Sequence, residues 1–268
     1  GANQPYLEIG NGVNLAGEAI TLQSGAGGGR GYLRVAAGET GSFTGVVTVA
    51  GPGTVGMYAN GTLAIGGTVT GAVASVQLRG TGGTGTVNSV VDLGSSSLNK
   101  TDAGTWQINS TGNMWGNITV AIGTLRLGAT DALPVTKVTM GQGDANNATL
   151  DLNGFNQAVT SLVYNSGGGT KAITGSGAST LTVTNDTDCS YGGVLTNSLA
   201  LVKRGSAALT LTGANGHTGG TAIENNSGTV VATVNTTMNS IGRGAAATGA
   251  GSSLVLSNAN TSGTTVAI

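Results

Sequence analysis

Glycine interrupts this chain so often that no stretch long enough for three helical turns keeps apolar side chains at i, i+3, i+4 and i+7. A period of two runs through the sequence instead. Ala19-Ile20-Thr21-Leu22, Val46-Val47-Thr48-Val49, Thr62-Leu63-Ala64-Ile65 and Val73-Ala74-Ser75-Val76-Gln77-Leu78 alternate apolar with small polar residues. So do Thr124-Leu125-Arg126-Leu127, Thr149-Leu150-Asp151-Leu152, Thr180-Leu181-Thr182-Val183, Leu209-Thr210-Leu211-Thr212 and Ser253-Leu254-Val255-Leu256. Each segment is bounded by Gly, Asn or Ser, as a half-buried strand bounded by turns would be. Roughly twenty such segments follow one another without a long irregular stretch between them, so the chain is all-β.

Internal repetition selects among sandwich, barrel and solenoid. Leu98-Asn99-Lys100, Trp106-Gln107-Ile108 and Gly116-Asn117-Ile118-Thr119-Val120 have counterparts 103 residues later. There the chain reads Leu201-Val202-Lys203, Leu209-Thr210-Leu211 and Gly219-Gly220-Thr221-Ala222-Ile223. The match continues from Gly123-Thr124-Leu125 to Gly228-Thr229-Val230. Weaker copies of one element stand at Phe43 to Val49 and Tyr191 to Leu195. Short strands, small-residue turns and self-similarity together predict a parallel β-helix in which each coil covers the edge of the one before.

Composition agrees. Gly (50), Thr (40), Asn (23) and Ser (21) make half of the 268 residues, while only 8% are charged. Like residues stack about 4.8 Å apart between coils, so stacked charges repel and thin out while Thr, Asn, Val and Ile persist. The chain keeps enough Val, Leu and Ile, with a net charge of only −1, to read as folded rather than disordered.

The same numbers remove several function classes. One Cys and one His leave no disulfide framework and no Cys/His zinc site. Ten Lys+Arg against eleven Asp+Glu give no basic footprint for nucleic acid. No apolar run approaches the roughly 20 residues of a membrane-spanning helix. The N-terminus has no basic n-region or apolar h-region, so any secretion signal is expected to have been removed or to lie upstream, and the strand-like Thr264-Thr265-Val266-Ala267-Ile268 suggests continuation into further coils.

The stretch from Leu98-Asn99-Lys100-Thr101-Asp102-Ala103-Gly104-Thr105 to Gly123-Thr124-Leu125-Arg126-Leu127-Gly128-Ala129-Thr130-Asp131-Ala132-Leu133-Pro134 resembles the autotransporter-associated β-strand repeat, and Leu201 to Ala232 is similar. Thr149 to Gln157 resembles the segment that commonly follows. Trp106 stands where the family usually has Leu, and Met114-Trp115-Gly116 replaces its Tyr-Thr-Gly-Gly turn. The resemblance implies a right-handed β-helical passenger on a bacterial surface, extracellular and without transferable catalytic residues. The organisation expected is one continuous solenoid: divergent coils over 1–97, a repeat pair over 98–235 and further coils over 236–268.

Candidate chemistry is sparse. His217 occupies the family's Tyr position before Thr218-Gly219-Gly220 and is read as a packing residue rather than a general base. Asn185-Asp186-Thr187-Asp188 is the best acidic cluster, with Asp144 and Asp151 elsewhere. Asp186 and Asp188 are weighed as a Ca²⁺ site, but Asn and Asp here build turns more readily. Gly25 to Gly31 lacks the Lys-Ser/Thr ending of a phosphate loop. Arg30, Arg34 and Arg79 read as isolated charges. Cys189 reads as a buried small residue. Nine Asn-x-Ser/Thr sequons, at Asn60, Asn99, Asn109, Asn117, Asn147, Asn185, Asn225, Asn235 and Asn260, raise glycosylation as a hypothesis.

The function expected is a surface stalk, spacer or fibre subunit that assembles with itself end to end or with other segments of a longer chain. The alternative is an adhesin binding glycans or surface proteins, with a carbohydrate-active enzyme the third reading. No catalytic, metal or cofactor site is assigned, and no cofactor, nucleic-acid partner or membrane span is expected.

Overall fold

A computed structural model describes residues 5–25, 30–234, 241 and 246–258, and these are all-β, with 28 strands and no helix. The strands stack in parallel as a β-solenoid, the architecture the repeats predict. The chain divides into two compact units, Gly1–Pro134 and Val135–Ile268.

In the first unit the first four coils turn through three faces, and two more coils add strands to faces A and B. Face A stacks Tyr6–Glu8, Tyr32–Val35, Thr54–Ala59, Ser75–Arg79, Ser97–Lys100 and Asn117–Val120. Face B stacks Val13–Leu15, Thr40–Phe43, Thr62–Ile65, Thr84–Val87, Thr105–Ile108 and Gly123–Leu127. Face C stacks Ile20–Gln23, Val47–Ala50, Val69–Ala72 and Val91–Asp92. Register alternation sends one set of residues inward as apolar columns, such as Leu33, Met57 and Leu78 on face A and Phe43, Ile65, Val87, Ile108 and Leu127 on face B, all buried. The alternate set faces out. Thr40, Thr62, Thr84, Thr105 and Thr124 form an unbroken outward ladder on face B, a stacking that suits a β-branched hydroxyl residue.

Tight corners need left-handed backbone, which Asn and Asp tolerate better than other non-glycine residues. Asp102 (φ 64°), Asp131, Asn153, Asn197 and Asn226 occupy such positions. Two of the chain's scarce acids, Asp102 and Asp131, are thus placed at corners.

The second unit is built from the same kind of ladder with longer strands. Ala148–Asp151 pairs with the first half of Lys171–Thr184, and Gln157–Val159 with its second half. Lys171–Thr184 then pairs along Val194–Arg204, with a register shift between Gly175 and Ser179. Thr221–Ile223 and Ala246–Thr248 continue that stack. Cys189–Tyr191, Leu209–Leu211, Thr229–Val234 and Ser253–Asn258 form a further one. The closing segment Thr264 to Ile268 lies outside the described residues, as do Gly1-Ala2-Asn3 and most of the Gly25 to Gly31 loop.

Candidate functional site

The repeat's lysine is a core residue. Leu98-Asn99-Lys100 alternates in-out-in, so Lys100 enters the inward column between Leu78 and Val120. Its side chain is 1% exposed. Nζ donates to the carbonyls of Thr101 (2.9 Å), Asp102 (2.7 Å) and, one coil on, Ile122 (3.0 Å). Lys203 repeats the pattern between Val183 and Ile223, donating to Arg204 (2.5 Å), Gly205 (2.7 Å) and Ser227 (2.9 Å). Lys171 also donates to three carbonyls, of Asp144 (3.1 Å), Asn146 and Gly168 (2.7 Å). A buried ammonium is tolerable only when its donors are satisfied, and here all three point at corner carbonyls. Burial pulls Lys100 down to about 8 and lowers Lys203 as well. The sequence places these lysines in a motif; it does not reveal that they are clamps.

The other candidates are likewise committed to holding coils together. His217 is fully buried, and its Nε2 lies 3.0 Å from Thr221 Oγ1, which itself donates to the carbonyl of Ile241. Thr221 therefore accepts from Nε2–H, and Nδ1 carries the lone pair with no protein partner. Burial pulls His217 down to about 4, so it is a neutral packing residue, as its motif position implies. Asp186 accepts from the amide and hydroxyl of Ser206, and Asp188 from the amide of Ala208 at 2.8 Å. These are coil-to-coil bonds at a turn. Asp144 is held below its usual range, first by Gln142 and Asn146, in a local loop, and Asp151 accepts from the amide of Asn153. Among the described residues no group of three His, Cys, Asp or Glu could hold a metal ion. Cys189 is half-buried, and burial raises its thiol. Of the sequons, Asn185 is buried with Nδ2 donating to Thr187 and Ala208, which removes it as a glycan acceptor; Asn117, Asn147 and Asn225 are exposed. Asn235 and Asn260 lie outside the described residues.

One cluster corrects the sequence reading. Arg34 and Arg79 are not isolated charges but rungs of an outward ladder on face A. Register stacks Tyr6 on Tyr32 and Glu8 on Arg34, then Arg34 on Tyr58 and Tyr58 on Arg79. Arg34 pairs with Glu8 and lies 3.5 Å from the centroid of the Tyr6 ring. Arg79 binds Asp102 through two nitrogens at 3.0 and 3.2 Å and lies 4.7 Å from the centroid of the Tyr58 ring. The Tyr32 and Tyr58 rings meet edge to face at 4.7 Å. Gly56 makes room for them, since a Cβ there would lie 2.8 Å from the Tyr32 ring. The signal available in the sequence was the 26-residue spacing of Tyr6, Tyr32 and Tyr58. At the same end a cavity of about 370 Å³, with Tyr6, Leu7, Leu22 and Tyr32 in its wall, carries no acid or histidine.

Residues 201–232 match the passenger-associated-transport-repeat family. The chain thus carries an autotransporter passenger repeat on a parallel β-solenoid, the class that fold and motif define together. A curated relative is the adhesin BmaC autotransporter of Brucella suis biovar 1 (strain 1330), 36% identical over 137 residues. The matched stretch is 49% of this chain and 4% of that protein, so the chain spans a small fraction of its relative's length. No solved structure matches.

Proposed function

We infer that the chain is a non-catalytic passenger segment displayed at a bacterial surface, where it serves as a stiff spacer. The observation that carries this reading is the use made of the buried lysines, the histidine and the acidic turn. Lys100, Lys171, Lys203, His217, Asp186 and Asp188 all hold coil to coil or corner to corner, leaving none of them for substrate or metal. A stack of parallel ladders resists extension because each coil is hydrogen-bonded to its neighbours.

The spacer also assembles end to end. Parallel pairing from coil to coil runs through the described strands, and the same pairing would add a further coil of the same kind. Light scattering across concentration tests this step: growth of mass with concentration is expected, and a strictly monomeric chain overturns assembly. Cell-surface display is tested by protease shaving of intact bacteria producing the parent protein, which should release peptides of this segment; protection from protease counts against display.

A second reading, adhesion, is favoured by the name of the relative. It is compatible with a spacer role, because a shaft can carry a binding face along its length.

A further inference from the structure

We propose that Asn60-Gly61, at the corner between the strands Thr54–Ala59 and Thr62–Ile65, is a self-modification site. The Asn60 side chain closes on the Gly61 nitrogen to a succinimide, and water opens that ring to aspartate or isoaspartate.

The reaction needs water and no cofactor. As the Gly61 nitrogen bonds to Asn60 Cγ, the Cγ–Nδ2 bond breaks. Nδ2 leaves as ammonia, taking up the proton that the Gly61 nitrogen gives to solvent. Water then adds to one of the two ring carbonyls, so the sum is an amide and water giving a carboxylic acid and ammonia. Glycine suits the closing step because it has no Cβ to obstruct the ring.

Four Asn-Gly pairs occur, at Asn11, Asn60, Asn153 and Asn215, and the structure separates them by the state of the attacking nitrogen. The Gly12 N–H donates to the carbonyl of Thr40 at 2.7 Å and the Gly216 N–H to that of Leu195 at 2.8 Å. The Gly154 N–H donates to Ser179 Oγ at 3.0 Å. A nitrogen held this way keeps its proton and its place. Gly61 belongs to no strand, and its N–H has no acceptor among the described residues. Gly61 is a buried residue, where an unpaired backbone N–H is uncommon.

The carbonyl under attack is prepared from the next coil. The Thr81 N–H donates to Asn60 Oδ1 at 3.2 Å. It stays on that oxygen as negative charge develops there, as an oxyanion-hole amide does. Asn11 and Asn215 receive comparable amides, from Thr40 at 3.1 Å and Leu195 at 2.7 Å, so the free nitrogen is what singles out Asn60. Asn60 is half-exposed, which gives water a route to the ring.

The two products differ in consequence. Aspartate keeps the acceptor for Thr81. Isoaspartate adds a carbon to the backbone where none fits: even a Cβ on Gly61 would lie 2.1 Å from the carbonyl oxygen of Glu39 and 2.5 Å from that of Ala36. The iso linkage therefore loosens the coil, and the normal one does not.

The 268-residue chain, incubated in mildly alkaline heavy-oxygen water and mapped by peptide mass spectrometry, tests the proposal. In the folded chain label should enter at Asn60 about tenfold or more faster than at Asn11, Asn153 or Asn215. In urea the four sites should converge, since each is then the same dipeptide in an open chain. A folded chain in which Asn60 is no faster than the other three overturns the site. Asn60→Gln keeps the acceptor for Thr81 but cannot close a five-membered ring. Its peptide should lose the label, and label entering there at the wild-type rate overturns the assignment. Asn60→Asp should unfold at the midpoint of fresh wild type, whereas the isoaspartyl fraction separated from aged protein should unfold lower. Equal midpoints for all three overturn the consequence drawn for the corner.

Discussion

The indole of Trp106 fills the space that a side chain on Gly85 would need. The two residues are register partners in adjacent coils of face B, and a Cβ on Gly85 would lie 2.3 Å from the indole Cδ2. Trp106 is fully buried and Gly85 is its complement. The departure from the family's usual Leu is therefore compensated one coil earlier. Gly85→Ala should destabilise the protein by about 1–3 kcal/mol through overpacking. In a Trp106→Leu background most of that penalty should vanish, a coupling of about 1 kcal/mol or more. Urea midpoints of the four proteins measure it, and additive penalties would show that the rings and the glycine are independent.

The lysine clamps make a second prediction. Lys203→Met keeps the aliphatic stem in its column but strands three carbonyls that now receive Nζ. The expected cost is about 2–4 kcal/mol, and Lys100→Met should behave alike because it strands the equivalent three. Lys137 is exposed, so Lys137→Met should change stability by less than about 0.5 kcal/mol. Equal effects at Lys203 and Lys137 would mean that the ammonium contributes nothing beyond its stem.

These two cases also show how far the sequence could be read. The alternation in Thr62-Leu63-Ala64-Ile65 marks a strand with those same bounds, because its pattern depends only on neighbours two residues apart. Gly85 and Trp106 contact across a coil, and coil length varies: Val13 pairs with Gly41, 28 residues on, but Thr105 with Thr124, 19 on. No fixed period lines such partners up. Lys100 and Lys203 lie on the apolar phase of their strands, yet lysine's preference for water argues against reading them as core. What reverses that preference is a set of carbonyls at corners, which no residue type announces. Arg34 and Arg79 looked isolated because their partners Glu8 and Asp102 are each one coil away.

Asp188 offers a test of how the acidic turn is used. Its carboxylate accepts from the Ala208 amide one coil on, while Asp186 serves Ser206. Asp188→Asn retains an acceptor and should cost little, whereas Asp188→Ala should cost about 1 kcal/mol. Millimolar Ca²⁺ should leave the thermal midpoint of the wild-type protein unchanged. A midpoint that rises with Ca²⁺ in the wild type but not in Asp188→Ala would establish a cation site there instead.

His217 supplies a pH dependence with a definite sign. Burial lowers its folded-state value from 6.5 to about 4. Between those limits the unfolded chain binds a proton that the folded chain refuses, so protonation favours unfolding. The contribution of the neutral imidazole is complete above pH 6.5 and is lost as the pH falls towards 4, to a depth of up to about 3 kcal/mol. His217→Gln keeps a donor for Thr221 Oγ1 but cannot titrate. Unfolding midpoints measured from pH 7 to pH 4 should therefore fall more steeply for the wild type than for His217→Gln. Glu224 and Asp144, both held low by local hydrogen bonds, lose stability in acid equally in the two proteins and cancel in the difference. Parallel pH profiles would mean that the buried imidazole accepts its proton in place, through a rearrangement that brings water or an acceptor to Nδ1.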